Sequence, residues 1–220
     1  MDKKGLDDMI KNLTEIPGIL DKELYHNSVV LIPLVFIGGE YHLLFQMRNF
    51  NIRQGGEVSF PGGMYDPTED ESLEATAIRE TYEEMGIPKD KIKIIGRLDT
   101  MVAPMGITID SFVSLVDIGG TDELIINKNE VEYAFTVPVS HFENSQPEKY
   151  NTRVMIESSY MDEEGRKVTL LPAEELGLPE LYYKSWGRRN YEILIYRYKN
   201  EMIWGMTARL VYEVVKKLKR

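Results

Sequence analysis

The chain of 220 residues carries 26 Lys and Arg against 36 Asp and Glu, a formal net charge of −10, with 43% hydrophobic and 28% charged residues. That length can bury a sizeable core, and the acidic balance offers no basic stripe of the kind a nucleic acid needs. Cysteine is absent, which excludes disulfides, thiolate catalysis and cysteine metal sites and suits a reducing compartment.

The start, MDKKGLDDMI, is too charged for the apolar core of a signal peptide. The longest apolar run, Val29 to Ile37, is broken by Pro33 and falls short of the roughly 20 residues that span a bilayer. A cytoplasmic location with no membrane partner is expected.

Leu6, Met9, Ile10 and Leu13 recur at helical spacing before Pro17. Residues 27–37 and 41–48, separated by Gly38-Gly39, read as a β-hairpin, followed by a loop over 49–58 and a short strand at Val58–Phe60. A helix is expected from Ser72 to Met85, with Asp70 or Ser72 as N-cap and Gly86 as its stop. Residues 91–103 and 107–118 look like paired strands joined through Pro104 and Gly106. A strand over 131–139 leads to a helical turn at Pro138–Phe142, and 153–171 reads as a hairpin around Glu164-Gly165. Residues 171–190 read as a long loop, 191–198 as a last strand and 206–219 as a closing helix. Strands outnumber helices and hairpins outnumber crossovers, which favours an α+β mixed sheet over a doubly wound one. One domain is expected over 1–220, with a helical extension at 1–26, a strand and loop elaboration at 140–200 and a closing helix at 204–220.

The 72–86 helix carries the chemistry. Glu80, Glu83 and Glu84 stand at i, i+3 and i+4, so three carboxylates share a side about one turn apart. Ala75, Ile78, Tyr82 and Met85 gather opposite, on the side expected to dock on the sheet. Like charges at these offsets cost a few tenths of a kcal/mol per pair, and Glu83 and Glu84 also meet the negative end of the helix dipole. A solvated acidic face is one explanation; a bound divalent cation is the other. Context favours the cation. The Phe60-Pro61-Gly62-Gly63 turn lets backbone approach a ligand closely, and Arg79 can pin one carboxylate by a charge-assisted hydrogen bond.

Gly63 and the ungapped run Arg79-Glu80-Thr81-Tyr82-Glu83-Glu84-Met85-Gly86-Ile87 resemble the Nudix box, with about two extra residues between its halves, so that the box's first glutamate falls on Glu69 or Glu71. The resemblance implies a Nudix-type α/β/α sandwich in which Glu80, Glu83 and Glu84 hold Mg²⁺ or Mn²⁺, the Gly63 carbonyl is a further ligand, and Arg79 orients a carboxylate. The activity implied is hydrolysis of a diphosphate linkage in a nucleoside-diphosphate derivative. Glu80 is a candidate base, as are Glu130 and Glu132, which sit where this superfamily has an acidic pair before a strand.

Upstream, Leu43-Leu44, Arg48, Arg53, Gly56, Phe60-Pro61-Gly62-Gly63 and Asp66-Pro67 resemble the signature of the coenzyme A pyrophosphatases of this superfamily, with about one residue fewer between Arg48 and Gly56. Ile203 to Ala208 resembles their closing-helix entry. By that resemblance the substrate is coenzyme A or an acyl derivative, cut to 3′,5′-ADP and a phosphopantetheine, with Arg48, Arg53, Gly62 and Gly63 meeting its phosphates. The alternatives are another substrate, such as ADP-ribose, a nucleotide sugar or a dinucleotide, and a domain that binds a nucleotide without cleaving it. Trp204 is expected to pack in the core, and the loop residues Tyr182, Tyr183, Trp186, Arg188 and Arg189 to pack on the sheet rather than cover a ligand. His26, His42 and His141 have no metal-ligand spacing.

Overall fold

The computed structural model describes residues 2–218. Met1, Lys219 and Arg220 lie outside it, and with them the last residue of the expected closing helix and both ends of the expected domain. In chain order the elements are α1 (Lys3–Asn12), β1 (His26–Ile37), β2 (Glu40–Arg48), β3 (Val58–Ser59), β4 (Gly62–Met64), α2 (Leu73–Met85), β5 (Ile92–Arg97), β6 (Met101–Ala103) and β7 (Ile107–Val116). Then come β8 (Val131–Pro138), α3 (Val139–Asn144), β9 (Glu148–Ile156), β10 (Ser159–Met161), β11 (Lys167–Thr169), β12 (Trp186–Tyr198), β13 (Glu201–Trp204) and α4 (Gly205–Leu218).

The main sheet runs β3-β2-β1-β7-β5, with β4 also on β1, β6 on β7 and β8 on β2. β1 and β7 pair in parallel from His26↔Ile107 to Val35↔Val116, and the other pairings are antiparallel. A parallel pair needs a crossover connection, and α2 lies within it. The fold is therefore α+β with a mixed sheet.

Alternation along β1 and β2 divides the core. Ile32, Leu43 and Phe45 join Leu194, Ile203 and Val211 on one face, while Val29, Leu31, Leu44 and Val35 look towards α2 and its flanking residues on the other. The layers are thus α2, the main sheet, and a third layer of α4 with the small sheet β13-β12-β9. Among the described residues no helix is long and apolar enough to cross a membrane.

Several elements depart from the sequence reading. The stretch 91–103 splits into β5 and β6, because the chain between them turns the Thr100 hydroxyl onto the buried Asp110 carboxylate at 2.6 Å. The 153–171 hairpin narrows to β10 and β11, and the residues before it belong to β9, which pairs with β12. β12 starts at Trp186, inside the expected loop, since its first turn of strand is polar and exposed. β13 continues the strand pattern where a helix entry was expected. Period two then buries Ile203 and leaves Trp204 39% exposed, so Trp204 does not fill the core as anticipated. α1 forms with Asp2 as its N-cap, yet none of its side chains is buried.

The docking face of α2 also differs. Thr76, Ala77, Thr81, Glu84 and Met85 are buried against the sheet, while Tyr82 is exposed. Packing has rotated the helix relative to the purely apolar stripe, and it carries one carboxylate inward.

Phe45 is fully buried and stacks on Phe60 at 4.8 Å and Phe135 at 5.5 Å between centroids, with Phe142 edge-on at 6.2 Å. Phe45→Ala is expected to cost about 3–5 kcal/mol, read as a lower midpoint in urea unfolding with an unchanged slope.

Candidate functional site

α2 is placed by its two ends. Ser72, not Asp70, is the N-cap, its Oγ accepting from Ala75 N at 3.1 Å. At the other end Gly86 adopts φ 69° and donates its N–H to Tyr82 O at 2.8 Å, and a Cβ there would meet Ile125. Carbonyls left open at the C-terminus are met from outside the helix: Ile125 N donates to Met85 O and Asn127 N to Glu84 O, both at 3.0 Å. The same segment carries Glu130, whose carbonyl accepts from Asn49 N at 2.8 Å.

Arg79 engages more than one carboxylate. Its Nε and Nη2 grip both oxygens of Asp70 at 2.9 and 2.8 Å, and its Nη1 reaches Glu80 and Glu83 at 2.9 Å each. The Arg79 hydrogen bonds hold the buried Asp70 carboxyl below the usual carboxylate range, and Asp70 in turn raises the Arg79 pKa. The acid that fixes the arginine from outside the helix is thus Asp70, flanked by the exposed Glu69 and Glu71.

The three glutamates have different surroundings. Glu83 is largely exposed and bound to Arg79. Glu80 lies against the backbone of β4, close enough that a Cβ on Gly63 would fall 2.3 Å from its Oε1. Burial raises its pKa, Arg79 opposes this, and Glu83 and Glu130 add to the rise. Glu84 is 3% exposed and accepts from Gly62 N at 2.9 Å. Burial pushes its pKa up to about 7, against the lowering influence of Gln46 and Gly62.

The β1–β4 register explains which backbone groups are available. Leu31 N bonds to Pro61 O and Tyr65 N to Asn27 O, so antiparallel alternation makes Val29–Gly63 a hydrogen-bonded pair and Val30–Gly62 a non-bonded one. The Gly62 N–H therefore points off the ladder, to Glu84. The Gly63 carbonyl spends one lone pair on Val29 and keeps the second. A Cβ on Gly62 would fall 2.2 Å from Val29 O, so only glycine fits there.

A cleft of about 360 Å³ opens beside this backbone, lined by Arg48, Arg53, Glu57, Gly62, Gly63 and Met206 among others. Arg48 Nη2 donates to Arg53 O at 3.3 Å, and burial raises the pKa of Glu57 despite the nearby Arg48. The structure thus brings Glu80, Glu83, Glu84, Arg79, Gly62, Gly63, Arg48 and Arg53 to one end of the sheet, with Glu130 beside Glu80. The Glu132 carboxylate accepts from the Asn49 amide at 3.5 Å. In the 171–190 segment, Tyr182 and Trp186 pack edge-to-face on each other, and Arg189 lines a separate groove of about 930 Å³ with Tyr25, Met101 and Arg209.

Sequence reasoning missed Gln46. It is fully buried, and neither its Nε2 nor its Oε1 makes a hydrogen bond of standard geometry, although it lies beside Glu84. Ser59 Oγ and Arg48 Nε are buried and unpartnered as well. Such groups cost about 1–3 kcal/mol each. The signal was present: Gln46 is the one uncharged polar residue in the strand run LLFQMR, in phase with Leu44.

Among the described residues no three acidic or histidine side chains are gathered to hold a metal ion as they stand. Glu80 and Glu83 are drawn to Arg79, and Glu84 to Gly62. The donors still suit a hard divalent cation. They are all oxygens, two belong to carboxylates whose charge is disfavoured by burial, and the neighbouring orphaned polar atoms lack a partner.

The family profile described as NUDIX domain matches residues 25–192. "Nudix hydrolase 3" of Caenorhabditis elegans is 34% identical over 148 residues, 62% of this chain and 60% of that protein. The "Uncharacterized Nudix hydrolase NudL" of Photorhabdus laumondii is 28% identical over 195 residues, 87% and 84% of the two chains. "Mitochondrial coenzyme A diphosphatase NUDT8" of Homo sapiens is 32% identical over 126 residues, 56% and 53%. The match spans less than two thirds of the worm and human proteins.

The raised Glu84 pKa has a consequence for stability. An unfolded glutamate titrates near 4.5 and Glu84 near 7, so the folded state holds the proton more tightly and the metal-free protein loses stability as pH rises between those values, by roughly 3 kcal/mol from this group. Glu84→Gln removes that loss. Urea unfolding in chelator should show the variant gaining on the parent from pH 5 to pH 8; parallel pH profiles would contradict it.

Proposed function

The chain belongs to the NUDIX domain family, and from that premise we propose that it hydrolyses the diphosphate linkage of a nucleoside-diphosphate derivative, with coenzyme A or an acyl-coenzyme A as the preferred substrate. The observation that carries the reading is the convergence of Glu80 and Glu84 on the Gly62-Gly63 backbone, with Glu83 beside Glu80 on the same Arg79 nitrogen, next to a cleft holding Arg48 and Arg53. The similarity to the human protein named as a coenzyme A diphosphatase supports the choice of substrate, as does the upstream motif from Leu43 to Pro67. We read 1–220 as one domain, since Leu194, Ile203 and Val211 share a core with Ile32 and Phe45.

Glu80, Glu83, Glu84 and the second lone pair of the Gly63 carbonyl would hold Mg²⁺ or Mn²⁺. A divalent cation there neutralises diphosphate charge and polarises the phosphorus centre towards attack. Arg79 frees these ligands at low cost, because its bidentate bond to Asp70 remains when Glu80 and Glu83 turn away. Arg48 and Arg53 meet phosphate oxygens in the cleft and orient the linkage. Glu130, beside Glu80, accepts the proton of the attacking water. Water oxygen bonds to one phosphorus, the bond to the bridging oxygen breaks, and that oxygen leaves on the other phosphate. Glu132, turned towards Asn49, has no part in this scheme.

The purified protein with Mg²⁺ or Mn²⁺ is expected to release 3′,5′-ADP and phosphopantetheine from coenzyme A, identified by mass. Preference for ADP-ribose, a nucleotide sugar or a dinucleotide would move the substrate assignment within the family. No hydrolysis of any of these would favour a domain that binds a nucleotide without cleaving it. Glu83→Gln should lower kcat by roughly two orders of magnitude or more while leaving the thermal midpoint close to that of the parent, because Glu83 is largely exposed.

A further inference from the structure

The face of the sheet that looks at Glu84 holds a row of unpaired polar groups. Gln46 and Ser59 are direct cross-strand partners of β2 and β3, so their side chains lie side by side on one face. The Gln46 amide and the Ser59 hydroxyl are buried and lack hydrogen bonds of standard geometry. Folded proteins retain few such groups, and each calls for a reason: strain, a function, or a missing water or ion. Among the described residues the Glu84 carboxylate accepts a hydrogen bond of standard geometry from Gly62 N alone. One arrangement satisfies all of them.

We propose that Gln46 and Ser59 are the positioning residues of Glu84 in the cation-loaded protein, with the Ser59 hydroxyl donating to Gln46 Oε1 and Gln46 Nε2 donating to the Glu84 carboxylate. This rests on the cation site proposed above. The chain of hydrogen bonds completes a buried amide that is otherwise unsatisfied. It also holds one carboxylate oxygen so that the other faces the ion. Partners behind a ligand commonly tune its metal affinity by 10- to 100-fold. A purely structural role for Gln46 predicts the same level or raised fold stability when the unsatisfied buried amide is replaced by an apolar side chain of similar size, but leaves the ion's affinity untouched, so the affinity is the readout that separates the two.

The test is Mn²⁺ binding by the full chain, followed by the electron paramagnetic resonance of free Mn²⁺, with unfolding in chelator measured alongside. Gln46→Met is expected to weaken Mn²⁺ binding about tenfold while its metal-free thermal midpoint stays level or rises. Ser59→Ala should weaken binding a few-fold, and the double variant should bind no more weakly than Gln46→Met alone, because the two act in series. Unchanged Mn²⁺ affinity in Gln46→Met overturns the inference and leaves the cation site standing. Should Gln46→Met not fold, unchanged affinity in Ser59→Ala overturns it equally. If the parent binds no Mn²⁺, or Glu84→Gln binds it as tightly as the parent, the cation site falls and this inference with it.

Discussion

Burying the Glu84 carboxylate between a helix and a sheet is the constraint around which the rest of this end of the molecule is arranged. An ionised group taken out of water must be paired, hydrogen-bonded or neutralised. Gly62 supplies one donor, and it can do so only because the β1–β4 register turns its N–H off the ladder. That register in turn needs glycine at 62, where any side chain would strike Val29. The double glycine and the inward glutamate are therefore two halves of one packing solution.

Arg79 answers a different problem, the mutual repulsion of Glu80 and Glu83. With one guanidinium nitrogen between them and the opposite edge fixed to Asp70, the helix tolerates a charge pattern that would otherwise weaken it. The division of labour matters. Asp70 is buried and shares both oxygens with Arg79, whereas Glu83 is largely exposed and singly bound. On the function proposed above, Asp70 is the partner that stays on Arg79, and Glu80 and Glu83, progressively less buried, are the ones that turn away.

Much of this was legible in the sequence, where a period or a turn type carried the information. The glycine-turn hairpin of β1 and β2, the Gly86 stop of α2 and the Glu80–Glu84 spacing all follow from local rules. Elements whose pattern is set by distant partners did not. β12 extends back to Trp186 because β9 pairs with it, a fact absent from the polar run GRRN. The docking face of α2 was misread because Thr76 and Thr81 are buried polar residues that a hydrophobicity pattern scores as surface; Thr81 satisfies its hydroxyl locally on Ala77 O at 2.7 Å. The sequence leaves the cap open between Asp70 and Ser72, since nothing local says that an acid two residues before the true cap reaches forward nine positions to an arginine. The distinction between Glu130 and Glu132 likewise depends on where Asn49 sits.

The two amide-to-carbonyl links from Ile125 and Asn127 to the end of α2 fix more than a helix terminus. They clamp the path of the chain just ahead of Glu130, so the distance from the glutamates of the helix to that acid is set by the clamp and not by how much backbone precedes it. Lengthening the chain at Gly119–Asp122 would then leave that geometry in place, making this stretch a natural seat for a reporter that senses the acidic cluster without disturbing it.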